Sequence, residues 1–427
     1  MLERGIREFQ ARRGDGEASA QALVESCLGR IAALNPRLNA FVSVDARGAL
    51  AAARESDHRQ RRAASRGLLD GVPLAIKDNI DVAGMTAAAG IAALASRTPQ
   101  RDAACIARLR AQGAVVLGKT LMDEAALGAL GDNPAFGRCH NPLAHGRTAG
   151  GSSSGSAAGV AARLCTAALG TDTLGSVRIP AACCGIVGYV PSAGFVDTEG
   201  VIPLAPTLDR VGVLARTVND AICVATRLSG SIEGVTPSGV SIGVLRGLEP
   251  VVPLAILSAV EETVRALARA GYRIVEIDAA GFEWAGARRA AFLRTEIEGA
   301  RAHAALLDDS AAAISAALRN ALEFGRRAGV ERVERAAAQI ERARVAFLGF
   351  LARSDVLLLP TTPQVAFPFG GEVPPSQGDL TVPASIAGLP VVSVPAGALA
   401  DGLPVGAQLV APHGQDALAL GVAADLG

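Results

Sequence analysis

The sequence predicts an α/β fold, with strands and helices alternating in layers around one large core. Two observations carry this expectation. Short apolar runs alternate with amphipathic stretches of helical spacing along the chain. The 427 residues are 50% hydrophobic, which is ample for a sizeable buried core. No internal repeat is visible and no linker divides the chain, so one domain over 1–427 is expected.

The elements follow in order. "EASAQALVESCLGRIAALN" (17–35) alternates apolar and polar groups at helical spacing, and Asn35-Pro36 is expected to end that helix. "VPLAIKDNI" (72–80) reads as a short apolar strand running into a Lys-Asp-Asn turn. "DAACIARLRAQG" (102–113) is an amphipathic helix closed by Gly113, and "AVVLGKT" (114–120) is a strand. Residues 155–164 look helical, opened by a Gly/Ser stretch, and "TAALG" (166–170) is a buried strand. "TDTLGSVRIPAACCG" (171–185) reads as an irregular loop. "SIGVLRG" (241–247) and "RIVEID" (273–278) are strands around a helix at 254–271. From about 285 to 353 the chain is mainly helical, and "DVLLLP" (355–360) and "PVGAQLV" (404–410) return to the sheet. The uncharged run "LTVPASIAGLPVVSVPAGALA" (380–400) is long enough to cross a bilayer. Pro383, Pro390 and Pro395 would break such a helix repeatedly, so it is read as buried strands and turns.

Composition narrows the function classes. Lys+Arg and Asp+Glu balance at 41 each, so no net field draws nucleic acid or an anionic membrane. Aromatic residues are only 3%, which leaves few for stacking on bases. Neither nucleic acid nor membrane is an expected partner. The seven cysteines are odd in number and form no CxxC or Cys/His cluster, which reads as reduced thiols in a cytoplasm and no metal site. The start "MLERGIREFQ" is charged from its third residue and lacks an apolar signal core.

"RTAGGSSSGSAAG" (147–159) is the most unusual stretch. It is not a linker, because it flows directly into helix and core material. A glycine loop at a helix N-terminus can hold an anion. Yet it lacks both the Gly-Lys-[Ser/Thr] end of a P-loop and the G-x-G-x-x-G of a dinucleotide site. A serine hydrolase would need a base. The five histidines are His58, His140, His145, His303 and His413, and no G-x-S-x-G elbow accompanies them. The other known solution is a lysine whose pKa is lowered by apolar burial. Lys77, ending the apolar run "VPLAI", fits that description.

"GVPLAIKDNIDVAG", "GGSSSGSAAG" and "GTDTLGSVRIPAACCGIVG" occur in this order and resemble the amidase signature family. The resemblance continues through "MDEAALGALGDNPAFGRCHNP", "LDRVGVLARTVNDA", "DVLLLPTTP" and "GLPVGAQLV", nearly the whole chain. It implies a mixed twisted β-sheet core surrounded by helices, a signature core at about 65–220, and a more variable, substrate-shaping region at about 285–400. It also implies a Ser-cisSer-Lys triad. Lys77 would be the buried base, Ser152 the bridging serine held by a cis peptide bond, and Ser176 the nucleophile, 24 residues after Ser152. The backbone amides of Thr173, Leu174, Gly175 and Ser176 would form the oxyanion hole. Asp172 and Arg178 would brace the nucleophile, with Arg178 as a substrate-carboxylate binder left open. Ser153, Ser154 and Ser156 are expected to cap the helix and form turn bonds, and Cys183 and Cys184 to be inert packing.

Three positions depart from the family pattern. Leu174 stands where glycine is usual, Ala149 where proline is frequent, and "VGYVPS" (187–192) replaces a Leu-Lys-Pro segment. Leu174 and Tyr189 are therefore expected to reshape the acyl pocket. The resemblance implies hydrolysis of a small-molecule carboxamide to an acid plus ammonia or amine, without metal or cofactor. The scarcity of aromatics leans toward a small or aliphatic acyl group. The alternatives are a glutaminase-type subunit of a tRNA-dependent amidotransferase, an allophanate or biuret-type hydrolase, and a non-catalytic binding protein. Only Tyr189 and Tyr272 are present, which weighs against the tyrosine-rich segment associated with the glutaminase subunits. A homodimer is left open.

Overall fold

Among the described residues thirteen strands occur in chain order: β1 (Phe41–Val44), β2 (Pro73–Lys77), β3 (Val115–Thr120), β4 (Asp132–Asn133), β5 (Gly137–Arg138), β6 (Ala167–Asp172), β7 (Val187–Val190), β8 (Arg210–Ala215), β9 (Ser241–Arg246), β10 (Arg273–Asp278), β11 (Val356–Pro360), β12 (Val391–Ala398) and β13 (Pro404–Val410). The computed structural model describes residues 5–230, 232 and 239–426, so the first four residues of the charged N-terminal stretch lie outside the described residues. β4 and β5 pair alone. The other eleven strands form one sheet in the order β1-β3-β2-β6-β8-β7-β12-β13-β11-β9-β10. The sheet is mixed: β2 runs parallel to β3 and β6, and β9 runs parallel to β10 and β11. The remaining pairings are antiparallel.

Every residue of β2, β3, β6, β8, β11 and β13 is buried, because helices cover both faces of the sheet. That burial explains their near-continuous apolar spelling. β10, at one edge, instead exposes Arg273, Glu276 and Asp278, charges that discourage further strand pairing.

Three local expectations are corrected. The helix expected to stop at Asn35-Pro36 spans Ala20–Leu38 and closes at Asn39 in the left-handed region. Pro36 removes the donor that would meet the Ala32 carbonyl, but Ala32 is exposed and water can replace it. The Asn35 side chain also exchanges two hydrogen bonds with the Phe41 backbone, at 2.8 and 2.9 Å, tying the helix end to β1. The stretch 171–185 is not wholly irregular. β6 runs on to Asp172, and Arg178–Cys184 is a buried helix. Pro180 sits in its first turn, where no intrahelical donor is needed, and Gly185 closes it at φ 63°. The uncharged run 380–400 holds a short helix, Val382–Ile386, as well as β12. Among the described residues no helix is long and apolar enough to cross a membrane.

The helical region comprises Trp284–Ala302, Ala304–Asp308, Ala316–Arg326 and Val330–Leu351. Its buried Leu307, Leu318, Leu322 and Ile340 share an apolar cluster with Leu174, Leu208 and Ile386. The region therefore packs beside the loop after β6. Tyr189 does not line a pocket at that loop. It is 1% exposed within β7, and its hydroxyl donates to Asp416 Oδ1 at 2.7 Å. Burial, and then the neighbouring Asp416, push this phenol well above its ordinary pKa, which keeps it a donor. Asp416 also accepts the Ser192 amide and hydroxyl, fastening the C-terminal helix Asp416–Ala424 to the end of β7. Asp416→Ala is expected to destabilise the fold by about 2–3 kcal/mol, since it strands buried donors that bond a charged acceptor. Urea unfolding measures this, and Asp416→Asn should recover part of the loss.

Candidate active site

The parallel strands β2 and β6 bring their C-terminal ends together, with Ile76 beside Leu169. In open α/β sheets, ligands bind beyond such ends. Lys77 is the last residue of β2 and is fully buried. Its Nζ lies 2.8 Å from Ser152 Oγ, 2.8 Å from Thr171 Oγ1 and 3.2 Å from the Thr171 carbonyl. Burial lowers its pKa to about 7, against the pull of Asp123, Asp172 and Asp209 toward the charged form. A neutral amine has two hydrogens and one lone pair. With both hydrogens on Thr171, its lone pair is left to face the Ser152 hydroxyl. Asn79 Nδ2 donates to the same Thr171 Oγ1 at 3.1 Å, and so holds that hydroxyl in place. Lys119, also fully buried, donates to the carbonyls of Asp78 and Ile80 and clamps the turn that follows Lys77.

Ser152 follows a cis peptide bond from Gly151. Gly151 is required by space, because a methyl group there would overlap the Asp123 carboxylate. Asp123 is buried and receives the amides of Leu130 and Gly131. Burial raises it to about 6 in spite of those amides. The three neighbouring serines do not cap the following helix, contrary to the expectation from their spelling; the helix Ser154–Ala161 has no side-chain cap. Instead Ser153, Ser154 and Ser156 donate to the carbonyls of Thr171, Leu121 and Leu169. The helix is buried, so its hydroxyls meet strand backbone rather than water.

Asp172 ends β6 and organises the loop 173–177. Its carboxylate accepts the amides of Gly175 at 2.8 Å and Val177 at 3.0 Å, and a bidentate pair from Arg178 at 3.1 and 2.9 Å. Burial alone would raise this carboxyl, but Arg178 outweighs it and holds it at about 2. Arg178 also donates to the Thr381 carbonyl, Gln408 Oε1 and Ser385 Oγ. All its nitrogens are engaged and it is fully buried, so no N–H of Arg178 is left without a partner. Gly175 has φ 139°, and a methyl group there would overlap Thr381 Oγ1. Ser176 is 8% exposed, and its carbonyl accepts the Ser153 amide at 3.1 Å, joining the loop to the Ser152 turn. Among the described residues, the amides of Thr173, Leu174 and Ser176 form no hydrogen bond, whereas that of Gly175 belongs to Asp172. The free amides of this loop are thus those of Thr173, Leu174 and Ser176. The Leu174 side chain joins the apolar cluster with Val382 and Ile386, and its carbonyl accepts Thr381 Oγ1.

The histidines stay apart from this centre. His140 and His145 stack on each other at 4.2 Å, and His145 contacts the Arg37 carbonyl. Cys183 and Cys184 are buried thiols, and burial raises the former to about 12 and the latter well above its ordinary value. Neither is poised as a thiolate. Thr171, Asn79, Asp123, Asp209, Thr381 and Ser385 carry parts of the arrangement that the sequence did not assign. Asp209 accepts Thr173 Oγ1 and the amides of Leu204 and Ala205, and burial raises it to about 6. Asn79, Thr171, Asp123 and Asp209 lie within the stretches that carry the family resemblance, without a role assigned to them, whereas Thr381 and Ser385 lie in the 380–400 run read only as strands and turns.

Asp172→Asn is expected to cost about 3–5 kcal/mol, because it leaves the Arg178 charge buried and unpaired. The Asp172 carboxyl is depressed in the fold, so its contribution is complete above its ordinary value of 3.8 and fades as pH falls through about 2. The stability gap between variant and wild type should therefore stay constant from neutral pH to about pH 4 and narrow below that. Chemical denaturation at a series of pH values checks both statements. Gly151→Ala should destabilise by about 1–3 kcal/mol through overpacking against Asp123, also measured by denaturation.

The Amidase family model matches residues 22–420. The A subunit of the glutamyl-tRNA(Gln) amidotransferase of Acidothermus cellulolyticus is 36% identical over 465 aligned positions, covering 96% of this chain and 91% of that protein. A crystal structure of an amidase superposes with a TM-score of 0.90 at 33% identity over 99% of each chain. The native peptide amidase of Stenotrophomonas maltophilia superposes with a TM-score of 0.85 at 31% identity, over 99% of this chain and 96% of that one. These matches span the β2, β6 and 173–177 segments that build the site, and the chain belongs to the amidase family.

Proposed function

We propose that this chain hydrolyses a carboxamide to a carboxylic acid and ammonia or an amine, with Ser176 as nucleophile and Ser152 and Lys77 as its proton relay. The observation that carries this reading is the contact of a buried, low-pKa Lys77 amine with Ser152 Oγ at 2.8 Å. Lys77 accepts the Ser152 proton while Ser152 accepts that of Ser176, and the Ser176 oxygen bonds to the amide carbon. The developing oxyanion is held by the free amides of the 173–177 loop. The proton returns through Ser152 to the leaving nitrogen as the C–N bond breaks. Water then attacks the acyl-enzyme by the same relay, restoring Ser176 and releasing the acid. Arg178 keeps the loop in place through Asp172 without touching substrate.

The amidotransferase relative favours a narrower form over a stand-alone amidase: an ammonia-releasing component of an amidotransferase complex. Its name is that of an amidotransferase subunit, and it aligns with 96% of this chain. Against a partnered role stand the amidase structures that superpose over 99% of this chain. Seven free, buried cysteines suit a reducing compartment and lead us to place the activity in a cytoplasm.

Ammonia release from a panel of primary amides, including glutamine, tests both forms. Ser176→Ala should abolish release while the protein stays folded, and Lys77→Ala should remove nearly all of it. Normal turnover by Ser176→Ala would refute the nucleophile assignment. Because the relay needs neutral Lys77, kcat/KM should rise with pH through about 7. Release from glutamine only in the presence of partner proteins would favour the partnered form, and turnover of several amides by the isolated chain would favour the stand-alone amidase.

A further inference from the structure

A cleft of about 870 Å3 opens between the segments 193–198, 206–210 and 385–388. Ser176 does not line it. Its size falls in the range of small-molecule sites, about 300–1,000 Å3. Arg210, the first residue of β8, lines this cleft and is 5% exposed. Nη1 donates to the carbonyls of Pro191 and Leu389 at 3.0 and 2.7 Å. Nη2 is buried and has no hydrogen-bond partner, and Arg210 forms no ion pair among the described residues. Burial lowers its pKa to about 10 against the longer-range pull of Asp172 and Asp416, so the guanidinium stays charged at neutral pH.

A buried cation without a contacting anion is costly, and such groups ordinarily carry a partner. The walls add to the positive side. Arg108 and Arg294 both line the cleft. Arg108 is held by the Leu228 carbonyl rather than by an acid. Of the two acids there, Asp209 is engaged by Thr173 and two backbone amides, which leaves the exposed Asp197 at the rim. Arg294 pairs with Glu298 at 2.9 Å, so among the described residues the guanidinium groups of the cleft without an ion pair are those of Arg210 and Arg108, against the carboxylate of Asp197.

We propose that this cleft is an anion-binding site, separate from the Ser176 centre, which takes the carboxylate or phosphate group of a small molecule on Arg210, with Arg294 on its wall. The ligand's oxygens complete the hydrogen bonding of Nη2, and its body occupies the open part of the cleft.

Isothermal titration of the full chain at fixed ionic strength tests this, with malonate, hexanoate and inorganic phosphate as separate probes. Saturable binding of at least one probe is expected, and which probes bind separates carboxylate from phosphate recognition. Arg210→Gln should weaken that binding by at least about tenfold, the effect of losing a charge-assisted hydrogen bond. Arg294 is half-exposed on a helix, so Arg294→Gln keeps the fold and should weaken binding about threefold. Absence of saturable binding for all three probes would overturn the proposal. So would unchanged affinity in folded Arg210→Gln, or unchanged affinity in Arg294→Gln should Arg210→Gln fail to fold.

Discussion

The burial of Lys77 at the end of β2 governs the rest of the site. An ammonium removed from water is disfavoured, so the fold stabilises the amine. Three acids nearby work against this, and any of them in direct contact would restore the charge. Each is instead bound elsewhere: Asp123 by the amides of Leu130 and Gly131, Asp172 by Arg178 and two loop amides, Asp209 by Thr173 and two more amides. The contacts of Lys77 are neutral oxygens, those of Ser152 and Thr171. Because every neighbouring carboxylate has a different partner, none contacts the Lys77 amine directly.

The same acids build the frame. Asp172 joins the end of β6 to the loop and, through Arg178, to the Thr381 carbonyl and Ser385 of the short helix region. Thr381 in turn holds the Leu174 carbonyl. A buried ion pair of this kind adds little net stability over apolar packing, but breaking it is expensive. Its evident effect here is geometric: it fixes which amides of 173–177 are bound and which remain free. Gly151 and Gly175 allow the close approach, one to Asp123 and the other to Thr381.

The β8 segment links this frame to the cleft behind it. Asp209 meets the 173–177 loop through Thr173, while Arg210, one residue on, lines the cleft and keeps one nitrogen without a partner.

The sequence by itself determined the α/β class and most strands, and it singled out Lys77 and Ser152, which lie 2.8 Å apart. Apolar runs and amphipathic spacing are local properties, and so is the spelling of the motifs. Local reading failed where packing overrode it: the helix that runs through Pro36, and the helix hidden in 178–184. Tertiary structure alone decided which strands neighbour one another, and hence that Lys77 meets Thr171. It alone used every nitrogen of Arg178 and turned Tyr189 toward Asp416. These outcomes depend on Thr381, Ser385, Gln408 and Asp416, more than 200 residues away in sequence. No local pattern encodes a contact at that separation, because its partner is chosen by how the layers pack.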